Sequence, residues 1–239
     1  MTPVSPLAPR RSLMRAQLRD EFYEEDLSRF YLCGNPHPDA FEILRPDLER
    51  EIVDEGFDPG HDFNADDDYL DWNELSRNPC PEVVAWLLAN PRGISRGGFS
   101  YNTHPDAVAY IAERPELIQW GDLSRNPSAA AVALLRAHPE NILWSELSNN
   151  PHPDAVALLL ENPDKIYWCS LSGNPHPGAV ALLLETPDEI DWRVLSGNPN
   201  PGAVALCLAH PGCINWCSFS RNPSPGAIAY MAAHPDKIK

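Results

Sequence analysis

Residues Trp144–Tyr167 read WSELSNNPHPDAVALLLENPDKIY, and the pattern returns three times more in direct succession with the tryptophan in phase. Trp120, Trp144, Trp168, Trp192 and Trp216 recur at one constant interval, and Trp72 lies on the same grid two periods before Trp120. Self-similarity at a fixed short period identifies an array of stacked units. Seven full units run from Trp72 to Lys239. A partial eighth shows as Leu32-Cys33-Gly34-Asn35-Pro36-His37-Pro38-Asp39-Ala40. With that unit counted, 21 of the 26 prolines fall at three repeat positions, so proline here is punctuation and not a mark of disorder.

Each unit carries one clear helix. It starts at a proline such as Pro153, whose missing N–H costs nothing in the first turn, and it stops before Pro163, which pushes the preceding residue out of the α region. The residue ahead of the first proline is Cys80, His104, Ser128, His152, His176, Asn200 or Ser224. Ser and Asn cap helices well, whereas His and Cys are expected to cap poorly. The body Ala155-Val156-Ala157-Leu158-Leu159-Leu160 is apolar all round, which predicts burial on every side. A helix of about ten residues is marginal alone, so stacking against its copies has to stabilise it. In the other half-unit, Trp with Leu or Phe three residues on fits one face of a short α or 3₁₀ turn. The fold class expected is all-α, a right-handed α-solenoid of 24-residue units, each pairing an α-helix with a short α or 3₁₀ piece. A strand-lined leucine-rich horseshoe needs a different apolar order and fails on the Asn-Pro-x-Pro step.

The run NPHPDAVALLLENPDKI resembles the leucine-rich repeat variant proteins, whose 24-residue units alternate an α-helix with a 3₁₀ helix. The phrasing ENPDKIYWCSLSGNP is similar to the NP-A-I repeat proteins encoded by large nucleocytoplasmic DNA viruses. The resemblance covers residues 72–239 and, in part, 29–48; it implies a scaffold or interaction role. This chain departs in carrying an extra residue and a second proline between Asn-Pro and Ala, and it lacks the cysteine cluster of the iron–sulfur domain found in some variant-repeat proteins.

The expected organisation is a disordered segment 1–9, an N-terminal capping helix 10–31 built on Met14, Leu18 and Phe22, a partial repeat 32–48, an acidic insertion 49–71 and the seven repeats 72–239. No run of 18 apolar residues exists to span a membrane. The start lacks the apolar core of a secretory leader, which places the chain inside the cell, or in a virion on the viral reading. Six cysteines without Cys-x-x-Cys spacing read as reduced filler thiols. The net charge of −16 is concentrated: residues 49–74 hold eleven acids against Arg50, a net of −10. No basic stripe exists for phosphate, so nucleic acid is not an expected partner.

Within the acidic stretch, Asp62, Asn64, Asp66 and Asp68 alternate like the start of a calcium loop. Asp67, however, stands where the sharp turn needs Gly, and Asn73 where a bidentate Glu belongs. The stretch reads first as a solvated acidic loop, with docking of a basic partner through Asp62, Asp66, Asp67 and Asp68 as the functional alternative. Asn78, Asn102, Asn126, Asn150, Asn174, Asn198 and Asn222 form a ladder expected to bond turn backbone. The serines two positions earlier have no recurring base beside them. Histidines recurring once per repeat lie about one helix spacing apart, too far for one metal to bridge. Tryptophan at a fixed phase reads as joint core and not as a stacking ligand site. The irregular or variable positions Arg77, Arg96, Tyr101, Arg125 and Arg221 are the remaining candidates for partner contact. The expectation is a non-enzymatic scaffold for protein–protein interaction with no cofactor and no metal. Its last helix is a candidate for end-to-end self-association. A structural or assembly component of a large DNA virus particle is the alternative, and an enzyme the weaker one.

Overall fold

The computed structural model describes residues 29–53 and 70–237, and every regular element among them is helical. The expected disordered start, most of the expected capping helix, and Asp62, Asp66, Asp67 and Asp68 lie outside the described residues. The chain divides into two compact units, Met1–Ile118 and Gln119–Lys239. In the first, α1 (Arg29–Cys33) and α2 (Pro38–Glu51) precede the pairs α3 (Trp72–Arg77) with α4 (Pro81–Ala89) and α5 (Arg96–Tyr101) with α6 (Pro105–Ala112). The second holds α7 (Trp120–Arg125) with α8 (Ala129–Ala137), α9 (Trp144–Leu147) with α10 (Pro153–Glu161), and α11 (Trp168–Gly173) with α12 (Pro177–Glu185). It continues through α13 (Trp192–Leu195) with α14 (Pro201–Ala209) and α15 (Trp216–Phe219) with α16 (Pro225–Ala233). Each unit is a stack of 24-residue repeats, an α-solenoid.

A repeat has three helical pieces where the sequence suggests two. The short piece beginning at Trp is an α-helix of four to six residues, and the Pro-x-x step after the long helix is a separate 3₁₀ turn such as Pro163–Lys165. Two prolines per repeat force this division. Asn162, ahead of Pro163, leaves the helix at φ −135°, ψ 63°, and three residues then suffice only for the tighter i→i+3 turn. In consecutive repeats long helix packs on long helix, and in the pairs α7–α9 and α11–α13 short packs on short.

The long helix is buried on part of its circumference only. Ala155, Val156, Leu158 and Leu159 are buried, but Leu160 and its copy Leu184 are exposed. The core of a typical repeat is therefore the Ala-Val pair, the Leu three residues on, the Leu or Phe of the short helix and the Ile after the 3₁₀ turn (Ala155, Val156, Leu159, Leu171 and Ile166 in one instance). Burying each of these aliphatic side chains contributes about 1.5–3 kcal/mol. Repetition multiplies that contribution along the stack.

Histidine caps better here than its propensity suggests. Nδ1 of His37, His104 and His152 accepts the N–H two residues on at 3.2 Å, and Nδ1 of His176 does so at 3.0 Å. The extended backbone ahead of the proline aims the ring nitrogen at that orphan donor, which an oxygen would otherwise satisfy. Cys80 makes no such bond.

Candidate interaction surface

The asparagine ladder ties neighbouring repeats together. Within its own turn the side-chain oxygen of Asn174 accepts the His176 N–H at 2.9 Å, as a turn role predicts. Its Nδ2 also donates across the joint to the carbonyls of Ser148 and Asn150 in the preceding repeat, both at 2.9 Å. Asn150, Asn198 and Asn222 repeat this in the second unit. In the first, Asn102 reaches Ser76 and Asn78. Asn78 reaches Cys33 at 2.9 Å and Asn35 at 2.8 Å. These two acceptors stand at the same repeat positions as Ser76 and Asn78, although the whole acidic stretch lies between them and Asn78. The insertion therefore leaves the rung unbroken. Residues 32–48 thus act as the repeat that precedes Trp72.

A serine ladder runs beside it. Ser148 Oγ donates to the Trp144 carbonyl at 2.7 Å and accepts the Tyr167 N–H from the following repeat at 3.0 Å. Ser124, Ser172 and Ser196 take the N–H of Leu143, Asp191 and Asn215 in the same way. The hydrogen-bonding capacity of these ladder groups is thereby directed into the frame, which leaves the serines no free hydroxyl for nucleophilic work.

The residue ahead of each short helix is hung on this frame at fixed spacing. Its backbone is extended in every case, near φ −81°, ψ 95° at Asp191 and φ −94°, ψ 97° at Tyr167, the geometry of an N-cap. Asp71, Asp191 and Asn215 use it, accepting first-turn N–H groups with their side chains. Gln119, Leu143 and Tyr167 form no side-chain cap bond. Leu143 and Tyr167 are instead 45% and 56% exposed. Beside them, Trp120, Trp144, Trp168, Trp192 and Trp216 are each half-buried, not sealed into joint core as their phase suggests; among the repeat-phase tryptophans only Trp72 is buried. The Trp120 ring meets His138 at 5.5 Å and Trp192 meets His210 at 5.3 Å, while Trp216 stacks on Tyr230 at 6.2 Å. No sequence signal distinguishes a cap position filled by Leu or Tyr from ordinary variation until the capping geometry is seen.

The variable positions separate into different roles. Arg77 lies over the Tyr101 ring at 4.7 Å and donates to Glu74 at 2.9 Å, so Arg77 and Tyr101 are brought together. Arg96 donates to the Glu116 carbonyl. Arg125 bridges to Glu146 of the next repeat at 2.8 Å. Arg221 is exposed at a distance from all of these along the chain. The first four are engaged within the fold.

Four of the six thiols are poorly suited to nucleophilic chemistry. Burial pushes the Cys33 thiol up to about 12, and burial also raises Cys80 and Cys207. A hydrogen bond to Asp191 raises exposed Cys169. Raised thiols remain protonated and weakly nucleophilic. Among the described residues, no group of three or more His, Cys, Asp or Glu could hold a metal ion, and no helix is long and apolar enough to cross a membrane. No family model, curated protein or solved structure matches the chain.

Proposed function

We propose that the chain is a non-enzymatic scaffold that presents repeated side chains to a protein partner. One observation carries this reading: Leu143, Leu160, Tyr167 and Leu184 project exposed from a frame whose ladders fix their spacing. Exposed apolar side chains held in register are the usual material of a protein-binding face. The recurring asparagine amides and serine hydroxyls of the ladders are taken up by the frame, so they are not the source of specificity.

Site-specific photocrosslinking in the native source tests this. A photoreactive phenylalanine analogue at Tyr167 or Leu184 is expected to give a discrete adduct with another polypeptide. The same analogue at Leu171, which is buried, is expected to give only internal products. Absence of any adduct from the exposed positions would sink the scaffold reading.

A further inference from the structure

We infer that the ridge formed by Leu143, Trp144, Tyr167 and Trp168 is a docking surface for a cationic, extended segment of a partner protein. This rests on the scaffold reading above and adds the chemistry of the partner. The first argument is that in two adjacent repeats a large apolar or aromatic side chain fills a cap position. Leu143 and Tyr167 occupy N-cap backbone, where Asp191 and Asn215 show the side chain that fits. Forgoing a cap weakens the helix each time, and the fold gains little in return, since both side chains remain about half exposed. Leu143 rests on Gly121 of the preceding repeat, which leaves its outer face clear.

The second argument is unspent hydrogen-bonding capacity. The Tyr167 hydroxyl and the indole N–H groups of Trp144 and Trp168 have no partner among the described residues. Aromatic rings with a free polar tip suit a surface that accepts a peptide, whose carbonyls can take those donors.

Charge then selects the kind of peptide. Residues 138–168 hold five carboxylates, Glu140, Glu146, Asp154, Glu161 and Asp164, against one base, Lys165. Arg125 and Arg136 reach in from the preceding repeat and pair with Glu146 and Glu161. Asp154 lies against His152 at 3.8 Å; the other two are Glu140, in contact only with His138 and Asn141, and Asp164, paired weakly with its neighbour Lys165 at 3.3 Å. Each stands three residues before a ridge residue, Glu140 before Leu143 and Asp164 before Tyr167. In the next repeat exposed Asp188 and Glu189 extend the same edge and have no ion-pair partner among the described residues. Aromatic faces bordered by carboxylates favour guanidinium or ammonium groups through cation–π and ionic attraction together.

The test compares fluorescein-labelled octapeptides of alternating Arg-Leu, Gln-Leu and Glu-Leu by anisotropy, on wild type and on the double variant Leu143→Asp/Tyr167→Asp. Asp suits this backbone as a cap, so the variant is expected to melt at the same temperature or higher. It is also more acidic by two charges, so nonspecific attraction predicts tighter binding of the Arg-Leu peptide. The ridge predicts the opposite, a weakening of at least tenfold, with the Gln-Leu and Glu-Leu peptides binding less well to wild type. A second variant, Glu140→Gln/Asp164→Asn, is expected to weaken the Arg-Leu peptide several-fold and to leave Gln-Leu unchanged. Unchanged or tighter Arg-Leu binding to the double Asp variant, or no binding to wild type, overturns the inference. Equal binding of Gln-Leu overturns the cationic partner alone, and the photocrosslinking result decides the scaffold reading separately.

Discussion

Trp72 in the first unit and Trp168 in the second occupy the same repeat position with opposite fates. Trp72 is 3% exposed, its N–H donates to Glu51 at 2.7 Å and its ring stacks on Trp86 at 6.1 Å. Trp168 is half-buried and has no such partners among the described residues. The neighbours decide the difference. Trp86 stands where the first four repeats of the second unit have Leu134, Leu158, Leu182 and Leu206, and Gly93 stands where they have Asn141, Lys165, Glu189 and Cys213. A Cβ at Gly93 would sit 2.5 Å from the Trp72 ring, so the ring packs on that turn only because the side chain is missing. The bond to Glu51 also clasps the two sides of the acidic stretch together. The repeat position thus sets where a tryptophan starts, and the irregular residues decide whether it becomes core or surface.

Removing a rung is the harshest way to break the comparison. Asn174→Ala and Asn78→Ala each strip two carbonyls and one N–H of their partner at a buried site, a loss of roughly 3–5 kcal/mol. Urea unfolding followed by far-UV circular dichroism measures it. Asn78→Ala should also make residues 29–53 the first segment released by limited proteolysis, because its rung is one of the bonds that hold them across the acidic stretch. Equal protection in both variants would contradict that assignment. The tryptophans come next. Trp72→Ala is expected to cost about 3–5 kcal/mol. Trp168→Ala should cost less than half as much, since part of its surface stays in water; equal losses would show that the half-exposed ring is core after all.

Glycine gives a finer contrast. A Cβ at Gly98 would meet the Asn73 carbonyl oxygen at 2.4 Å and Ser76 Cβ at 2.6 Å, so α5 lies against α3 at a distance only glycine permits. Gly98→Ala is expected to cost about 1–3 kcal/mol through backbone displacement. At Gly121 the same change meets only the end of Leu143, at 3.3 Å. Helix propensity should then prevail, and Gly121→Ala should be neutral or stabilising by up to about 1 kcal/mol. Thermal denaturation of the pair reads out the opposite signs.

The period, the long helix and both of its proline boundaries are legible in the sequence because each follows from local backbone rules repeated along the chain. The third helical piece is legible too, in principle, since Pro163 and Pro187 each leave room for one tight turn before the Ile. What the sequence does not display is which side of the long helix its neighbours cover. Leu160 and Leu158 look equivalent in a run of apolar letters, yet one is exposed and the other buried. The cross-repeat half of the asparagine ladder is hidden for a related reason: its acceptors are backbone carbonyls, which every residue possesses. The ridge at Leu143 and Tyr167 becomes visible only when the cap geometry of Asp191 supplies the standard they depart from.

The smallest effect tests that standard directly. Burial raises the Asp191 carboxyl, but the Val194 N–H and the Cys169 thiol outweigh it and hold the group below its ordinary value. A carboxylate depressed in the folded state adds stability that is complete above its unfolded pKa and is lost as the pH falls through the folded one. The gain is small, because the group is largely in contact with water and its interactions are screened. Asp191→Asn keeps a capping oxygen and removes the titration. The difference in urea midpoint between pH 6 and pH 3 should therefore shrink in that variant. In the repeat one step back the cap position is Tyr167 and carries no carboxyl, so Tyr167→Asp should enlarge the same difference. If neither substitution moves it, the cap geometry shared by these two positions has no energetic consequence, and the case for a sacrificed cap at Tyr167 fails with it.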